Sequence, residues 1–438
     1  MSPQSIALLI TAIAVLAALG CIWGAMRCER RWRLVHDLPT SKTTGVFIGL
    51  VELAGKAQAA QPLTSPLAEL ACVYHRWSVD EHWSRTVVER YTDSKGTSCT
   101  RVRHDSGWTT VASGGDQMAF ILRDDAGEVQ VVPEGADVTP LSTMDQQCTT
   151  DDPMYYGKGP AEAVGNSDHR RRFTESAIPI DTPLYVIGQA RERTDVVAAE
   201  IARDPLAPLF VISARGEAGV SSRFYWSALG LELLGLIVAA GAPFIIGSVL
   251  QREPPARFLP ASLSLAGYLA CWGVGWMWMV YNGLVELRQR VRQAWSNIDV
   301  QLKRRFDLLP NLVAIVERLR DHERDTQTEL ALMRSQLMVT PPGLPGPDPR
   351  ACAGAVIALA ERYPTLTSDV GFQSLMRSLR DTEDRIALAR AYYNDIAADW
   401  NIRLERIPDC VIARMARMTR QEPMAANGFE RGAIEVRV

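Results

Sequence analysis

Histidine and cysteine are the side chains that most often hold zinc, and this chain carries both without a metal-binding pattern. No two cysteines form a C-x-x-C pair, so their spacing predicts neither a zinc ribbon nor a disulfide framework. Cys72, His75 and His82 fall in one predicted strand, where side-chain alternation places His75 on the face opposite to the other two. We therefore expect structural or surface roles for these residues and no bound metal. The histidines are His36, His75, His82, His104, His169 and His322, and the cysteines are Cys21, Cys28, Cys72, Cys99, Cys148, Cys271, Cys352 and Cys410.

Motifs that position a catalytic nucleophile or a nucleotide are absent from the sequence. His322 and Glu323 begin like a zinc-protease motif, but Thr326 stands where H-E-x-x-H requires its second histidine. The sequence contains no G-x-S-x-G, Walker loop or G-x-G-x-x-G. We therefore predict no catalytic residue and no cofactor, and we expect the chain not to be an enzyme.

A polar cluster after the middle of the chain is the strongest candidate for a functional surface. One interpretation is that Asn297 and Asp299, which flank the apolar Ile298, pair with arginines of a later helix. The other is that the cluster binds a protein partner or anionic lipid headgroups. We favour structural pairing over partner binding. The cluster consists of Trp295, Asn297, Asp299, Lys303, Arg304 and Arg305, and the candidate pairing residues are Arg385 and Arg390.

An amphipathic helix over residues 281–312 is expected to position this cluster. Apolar residues recur at every third or fourth position, which is the spacing of one face of an α-helix, and basic residues lie between them. An uncharged apolar segment precedes the helix. We therefore predict that the helix leaves a membrane and begins a helical bundle. The apolar positions are Leu284, Leu287, Val291, Ala294, Ile298 and Leu302.

Three segments are long and apolar enough to cross a bilayer, which takes about 20 residues. They cover residues 5–26, 226–250 and 259–281. No basic residue precedes the first segment and no small-residue cleavage site follows it, so we favour a retained anchor over a cleaved signal peptide. Glu232 interrupts the second segment. We expect its side chain to reach the membrane interface and not to act as a buried functional carboxylate.

Basic residues flank these segments unevenly. Arginine clusters follow the first and third segments, and Arg215 and Arg223 precede the second, whereas the linker between the second and third holds only Arg252 and Arg257. By the positive-inside rule, both large domains face the cytoplasm and the N-terminus lies outside. We therefore expect a multi-pass protein of a bacterial cell membrane.

Residues 34–223 have the pattern of a compact β domain. Short runs of β-forming residues alternate with turn residues, and Asp124 to Gly127 separates two runs as in a hairpin. We predict a mostly antiparallel barrel or sandwich. Residues 145–167 are polar and contain glycine and proline breaks, so we predict a long loop there. The predicted strands cover residues 46–53, 71–79, 101–111, 120–122, 129–132, 183–188 and 208–213.

Residues 282–417 are predicted to form an elongated, all-α antiparallel bundle with coiled-coil-like seams. Pro310 is expected to end a first helix near Leu308 and to begin a second, because proline rarely continues a helix but suits its first turn. The further predicted elements are helices over residues 310–337, 351–362 and 369–406 and a flexible tail over 418–438. The seam of the long helix is Phe372, Leu375, Leu379, Thr382, Ile386, Ala389, Tyr393, Ile396, Trp400 and Leu404.

The stretch YNGLVELRQRVRQAWSNIDVQLKRRFDLLPNLV closely resembles the signature of the LemA family. The resemblance covers about residues 281–417 and departs at Ile407-Pro408, where the family usually has Phe-Pro. It implies a membrane-anchored helical bundle without an established biochemical activity, sometimes associated with a membrane zinc protease. Further matching residues are His322-Glu323, Tyr363-Pro364, Glu383, Arg385, Ile386, Arg390, Tyr393, Asn394 and Asn401.

A second resemblance lies in the β region. The stretches GLVELAGKAQ, PLTSPLAELACVYHRW, FILRDDAGEVQVVPEGADV and ESAIPIDTPLYVIGQA resemble the GIDE domain of membrane ubiquitin ligases. In those ligases catalysis belongs to a C-terminal RING finger, whose two zinc ions need eight cysteine or histidine ligands. This chain has no such set after its second apolar segment. The resemblance therefore implies a shared membrane module and does not imply ligase chemistry.

Composition fits this organisation. The chain has 438 residues, of which 47% are apolar, and a net charge of -3, which suits two or three domains with apolar spans and does not favour nucleic acid as a partner. We expect a non-catalytic scaffold, sensor or assembly factor that contacts membrane lipid and a membrane protein. The alternatives are a ubiquitin-ligase-related protein and a sensor whose β domain binds a lipid or another small ligand.

Overall fold

The computed structural model describes residues 2–92, 98–192, 199–205, 207, 209–251, 253–319 and 370–424. The chain divides into two compact units. Residues Thr40–Phe224 form a β unit, and residues Met1–Pro39 together with Tyr225–Val438 form a helical unit.

Within the described residues, the β unit contains two sheets, one short α-helix and a 3-10 helix over Thr43–Gly45. The short helix α2 covers Pro153–Gly157 and is capped by Asp152, whose side chain accepts a hydrogen bond from the Met154 backbone. The strands are β1 Thr40–Ser41, β2 Gly49–Gln58, β3 Leu63–Thr64, β4 Ala71–Thr92, β5 Ser98–Gln117, β6 Phe120–Arg123, β7 Glu128–Val131, β8 Asp137–Thr139, β9 Leu141–Thr149, β10 Ser167–Pro179, β11 Pro183–Glu192, β12 Ala199–Ala202 and β13 Val211–Ser213.

The first sheet closes into a five-stranded barrel. Its strands follow the order β2, β6, β7, β12 and β11, and β11 also pairs with β2 to complete the circle. Apolar side chains that alternate along these strands point inward and form the core, because alternate residues of a strand face the same side. The predicted barrel is thus confirmed. Its most buried members include Leu53, Leu122, Val131, Val186 and Ile201.

The second sheet is open and resembles half a barrel. Strand β4 pairs with β10 on one side and with the long strand β5 on the other, and β9 lies outside β10. A smaller core of Leu67, Val79, Cys148, Tyr155 and Phe173 lies against it. This sheet carries the longest strands of the β unit.

Two local predictions in the β unit have different outcomes. The hairpin at Asp124 to Gly127 is confirmed, since β6 and β7 pair on either side of it and the Asp124 carboxylate accepts the Ala126 and Gly127 backbone N–H groups. The long loop over residues 145–167 is wrong, because β9 extends to Thr149 and α2 follows it. Polar side chains suit β9 because the strand is exposed along most of its length, so its pairing with β10 left no apolar signal.

The helical unit contains α1 Pro3–His36, most of α3 Gly216–Val249, α4 Phe258–Leu319, α5 Val370–Glu405 and α6 Asp409–Met415. Within the described residues, three helical segments are long and apolar enough to cross a membrane. They are Pro3–His36, Gly216–Val249 and Pro254–Arg305. Their apolar side chains are largely exposed, which suits contact with lipid. The three predicted spans are therefore present as helices.

Helix α4 runs without a break from the third apolar segment into the polar region. Its 62 residues would extend about 93 Å at the usual rise of an α-helix. The predicted break at Pro310 is wrong, because α4 continues to Leu319. A proline can be carried within a long helix where surrounding groups satisfy the freed carbonyl. The predictions over 320–369, including His322-Glu323 and the helix over 351–362, lie outside the described residues.

Helices α4 and α5 pack along the two predicted seams. Leu284, Leu287, Val291, Ala294 and Ile298 of α4 are all buried. On α5 the buried seam positions are Leu379, Thr382, Ile386, Ala389, Tyr393, Ile396 and Trp400. Contacts of Arg305 with Glu383 and of Trp295 with Tyr393 show that the two helices run antiparallel. The 3-4 spacing therefore located the packed faces correctly.

Candidate partner-binding site

The structure separates the predicted polar cluster into exposed and buried members. Trp295 is 49% exposed, and Lys303 and Arg304 are also exposed. Arg305 is only 1% exposed and belongs to the packed seam, not to the polar surface. The half-buried members are Asn297, Asp299, Arg385 and Arg390.

An ion pair joins the two helices at one residue of the predicted cluster. The Arg305 Nη1 atom lies 3.3 Å from Glu383 Oε1 across the interface. Arg385 instead donates to Asp381 of its own helix, at 3.0 Å. Within the described part of the chain, no ion pair joins Asp299 to Arg385. Six residues of α4, nearly two turns, separate Asp299 from Arg305, the buried arginine that makes the contact.

Trp295 connects the predicted cluster to a second group of polar side chains on α5. Its ring meets the Tyr393 ring edge to face, with centroids 5.5 Å apart. Such geometry is the favoured one for aromatic pairs. Tyr393 itself is 5% exposed. An exposed tryptophan on α4 therefore covers a buried tyrosine on α5.

Two asparagines of α5 hold a non-helical segment of the chain, residues 419–424, which we call the docked segment. The Asn401 side chain accepts the Gln421 backbone N–H at 3.0 Å and donates to the Gln421 carbonyl at 2.8 Å. Asn394 makes the same pair of bonds with Met424, at 2.8 and 3.2 Å. Each side-chain amide thus bonds to both the N–H and the carbonyl of one residue, as a backbone peptide group does in a paired β-strand.

Next to each asparagine, an aromatic side chain donates one further hydrogen bond to the docked segment. The Trp400 indole donates to the Thr419 carbonyl at 3.0 Å, and the Tyr393 hydroxyl donates to the Glu422 carbonyl at 3.1 Å. Burial, with a smaller effect from the Glu422 carboxylate, raises the pKa of Tyr393, so the phenol keeps the proton that it donates. We call Tyr393, Asn394, Trp400 and Asn401 the aromatic–asparagine ladder.

An ionic network joins the end of α1 to α5 and α6. Arg403 Nη1 contacts Asp37 Oδ2 at 2.8 Å, and Arg403 Nε contacts Asp409 Oδ2 at 2.7 Å. Arg33 of α1 reaches the same Asp409 oxygen at 3.3 Å. Arg403 and Asp409 are buried. The network therefore attaches the first apolar helix to the C-terminal helices.

Glu232 has hydrogen-bond partners within the helical unit. Its carboxylate accepts the Trp272 indole N–H at 3.2 Å, and its backbone carbonyl accepts the Tyr268 hydroxyl at 3.2 Å. These bonds join α3 to α4 and give the carboxylate a donor away from water. Its predicted position at the membrane interface stays a prediction.

The β unit contains two buried carboxylates with full sets of donors. Glu81 receives Arg171, Tyr155 and Ser167, and although burial opposes its ionisation, these hydrogen bonds lower the pKa of Glu81. Glu52 receives only the neutral hydroxyls of Thr40 and Tyr185, at 2.6 and 2.7 Å. Burial raises the pKa of Glu52 to about 7, despite these two bonds.

The histidines and cysteines of β4 do not converge. Cys72 and His75 are buried, and the His82 ring contacts the Asp168 carboxylate at 2.5 Å. Among the described residues, no group of three or more histidine, cysteine, aspartate or glutamate side chains is placed to hold a metal ion.

Sequence reasoning treated Tyr393 and Trp400 as seam positions and missed the ladder. A signal was present, because an aromatic residue followed by asparagine occurs twice, seven residues apart. The docked segment gave no signal, since its contacts use backbone atoms. The Arg403 network was missed for a different reason: its partners lie 366 residues apart in the chain.

These features describe a class of protein: a helical unit with apolar helices long enough to span a membrane, combined with a small β barrel. Family comparisons agree with both sequence resemblances. The LemA family model matches residues 294–437, and the GIDE model, described as E3 ubiquitin ligase, matches residues 88–246.

Magnetosome proteins are among the relatives of this chain. MamQ 1 and MamQ 2 of Paramagnetospirillum magneticum are each 28% identical to it over 190 residues, which covers 36% of this chain and 68% of each relative. MamQ of Magnetospirillum gryphiswaldense is 28% identical over 202 residues, which covers 39% of this chain and 72% of that protein. The similarity supports a membrane-associated protein.

Proposed function

We propose that this chain is a membrane-anchored, non-catalytic scaffold or assembly factor that presents a protein-binding face on its helical unit. The observation that carries the proposal is the course of α4. This helix runs unbroken from the third apolar segment to Trp295 and on to Arg305. Because the helix is continuous, it holds the binding face at a fixed position relative to the apolar segment. A scaffold on which other proteins assemble requires such a fixed position.

The proposal includes the arrangement of the domains. We propose an elongated antiparallel bundle over residues 282–417, attached to spans near residues 5–26, 226–250 and 259–281. The GIDE-like domain over 34–223 lies on the same side of the membrane, because an even number of crossings separates the two domains. Arginine distribution favours the cytoplasmic side of a bacterial cell membrane.

The relatives support a membrane-associated role. The MamQ proteins are named for the magnetosome, and we propose that the part shared with this chain serves a comparable membrane-associated role here. The proposed partners are membrane lipid, through the basic residues Lys303 and Arg304, and a membrane protein such as a zinc protease. Nucleic acid is not proposed as a partner.

Cross-linking in native membranes tests the proposal. A photoreactive amino acid at position 295 should form discrete adducts with another protein, because Trp295 lies on the proposed face. The matched control is position 300 of the same helix, where Val300 is 57% exposed. Five helical positions rotate it to another side. Adducts at 300 with none at 295 would contradict the proposed face.

A second candidate function is binding of a small polar ligand by the β unit. A cavity of about 970 Å³ lies beside β4, β5 and β10. Its lining includes the side chains of Arg76, Ser78, Asp80, Thr110, Thr174 and Ser176. Hydroxyl and charged groups of this kind favour a polar ligand over a lipid chain. A thermal-shift screen with Asp80→Ala as the control variant would reveal such a ligand.

Ubiquitin transfer is the weaker alternative. It follows only from the GIDE similarity, and in that family the chemistry resides in a zinc-binding RING finger. After α3 the only cysteines and histidine of the sequence are Cys271, His322, Cys352 and Cys410, each far from the next. These residues do not provide the paired ligands that a RING finger requires.

A further inference from the structure

The aromatic–asparagine ladder recognises the main chain of the docked segment and ignores its side chains. All of its bonds go to backbone N–H or carbonyl groups of Thr419, Gln421, Glu422 and Met424. The side chains of Arg420, Glu422 and Pro423 are exposed. Recognition of this kind depends on an extended backbone and on free N–H groups, and not on a particular sequence.

The spacing of the ladder matches an extended polypeptide. Asn394 and Asn401 are seven residues apart, which is about 10.5 Å along an α-helix. The peptide groups that they bind, at Gln421 and Met424, are three residues apart, which is about 10 Å in an extended chain. The aromatic partners repeat the relation, since Tyr393 and Trp400 bind Glu422 and Thr419. The spacing of the binding side chains along α5 therefore equals the spacing of the peptide groups that they bind along the segment.

The docked segment is attached mainly through hydrogen bonds to its backbone. Four of its six residues are exposed, so it buries little apolar surface. Its additional ion pair, between Arg420 and Glu405 at 2.7 Å, joins two exposed side chains and contributes little in water. The hydrogen bonds to the ladder therefore supply most of its attachment, and another extended chain could form the same bonds.

We propose that the ladder is a binding site for extended polypeptide, filled by the chain's own docked segment and open to an extended segment of a partner when that segment leaves. The aromatic–asparagine ladder binds backbone groups, so the partner segment must be non-helical and must offer N–H groups three residues apart. This inference deepens the proposed function by naming the chemistry of the partner. Trp295 covers Tyr393 and lies next to the site.

Peptide binding to the full chain tests the inference. Replacing Gln421 and Met424 by proline removes the two N–H groups that the asparagines accept and so frees the site. A fluorescent peptide of residues 417–424, RMTRQEPM, should then bind saturably in detergent, as followed by fluorescence anisotropy. The wild-type chain should bind it at least about ten-fold more weakly, because its own segment competes at high effective concentration.

Changes in the peptide separate backbone recognition from side-chain recognition. N-methylation of the peptide at Gln421 and Met424 should abolish binding, whereas alanine at Thr419, Arg420 and Glu422 should change the affinity by less than about three-fold. Equal binding by the N-methylated peptide would overturn the inference, as would absence of saturable binding. If the double-proline chain loses helix content, the same peptides are compared on the wild-type chain at higher concentration, with the same criterion.

Variants of the chain locate the site. Asn394→Leu with Asn401→Leu, added to the double-proline chain, should weaken peptide binding at least about ten-fold, and the exposed Asp395→Leu should leave it unchanged. Equal effects would overturn the inference. Loss of peptide binding with persistent cross-links at position 295 would remove the inference and leave the proposed function standing. Peptide binding without such cross-links would do the reverse.

Discussion

At the scale of single residues, two carboxylates of the β unit differ because their donors differ. Glu81 faces the guanidinium of Arg171, which cancels its charge, whereas Glu52 faces two neutral hydroxyls. Burial without a cation favours the protonated form. Glu52 therefore resists ionisation in the folded protein, and Glu217 nearby strengthens the effect.

We predict that Glu52→Gln removes part of the pH dependence of stability. The folded pKa of Glu52 is raised from 4.5 to about 7, so its favourable contribution is complete below 4.5 and is lost as the pH rises through 7. The wild-type melting temperature should fall from pH 5 to pH 8 more steeply than that of the variant. The corresponding difference in the free energy of unfolding is at most about 3 kcal/mol. Exposed Glu128→Gln is the control and should retain the wild-type slope. Parallel slopes for Glu52→Gln and the wild type would contradict the prediction.

A double-mutant cycle tests the contact between Arg305 and Glu383. Removing either side chain leaves a charge at a largely buried interface, so each single alanine variant should destabilise the chain. The coupling energy between them should be about 1–3 kcal/mol. The measurement is the free energy of unfolding for the four proteins in detergent. Strict additivity would show that the two side chains do not interact.

At the scale of elements, charged side chains join the α1 helix to α5 and α6. Arg403 lies between Asp37 and Asp409, and Arg33 extends the contact. We predict that Arg403→Ala lowers the free energy of unfolding by about 3–5 kcal/mol, because it removes the ion-pair partner of Asp37 and leaves the buried Asp409 with only the longer contact to Arg33. The exposed Arg406→Ala should change it by less than about 0.5 kcal/mol. Thermal unfolding compares them, and equal effects would mean that the network is not structural.

Elements that bury one continuous face were predictable from the sequence, and elements that do not were missed. The seams of α4 and α5 follow from apolar residues at positions such as Leu287, Val291 and Ile386. The polar, exposed side chains of β9 predict a loop, whereas its backbone pairs with β10. The local preference of proline predicts a helix boundary at Pro310, whereas α4 continues to Leu319.

The candidate site was only partly predictable for a related reason. Trp295 was identified from its place in an amphipathic pattern, but Arg305 was assigned to the surface although its position continues the seam by one turn. Asn394 and Asn401 bind backbone atoms of a segment that carries no pattern of its own. Contacts between a side chain and a backbone leave no trace in residue spacing, so only the repeated aromatic–asparagine pair pointed to them.

At the scale of the whole molecule, the proposed function depends on how often the three apolar helices cross the membrane. If each helix crosses the membrane once, the β domain follows the first crossing and the helical domain follows the third, so both lie on one side. A partner bound at the ladder would then lie on the same side of the membrane as the β domain. This common side is the condition that a scaffold of the proposed kind requires.

Thiol accessibility in native membranes tests this condition most directly. Single cysteines are introduced at Ser113 of β5, Ala391 of α5 and Glu253 of the linker, all exposed positions, and labelled with a membrane-impermeant maleimide. Labelling is measured above that of the parent chain. We predict that Ser113→Cys and Ala391→Cys label from the same side and Glu253→Cys from the other. Labelling of Ser113→Cys and Ala391→Cys from opposite sides would contradict the proposed scaffold.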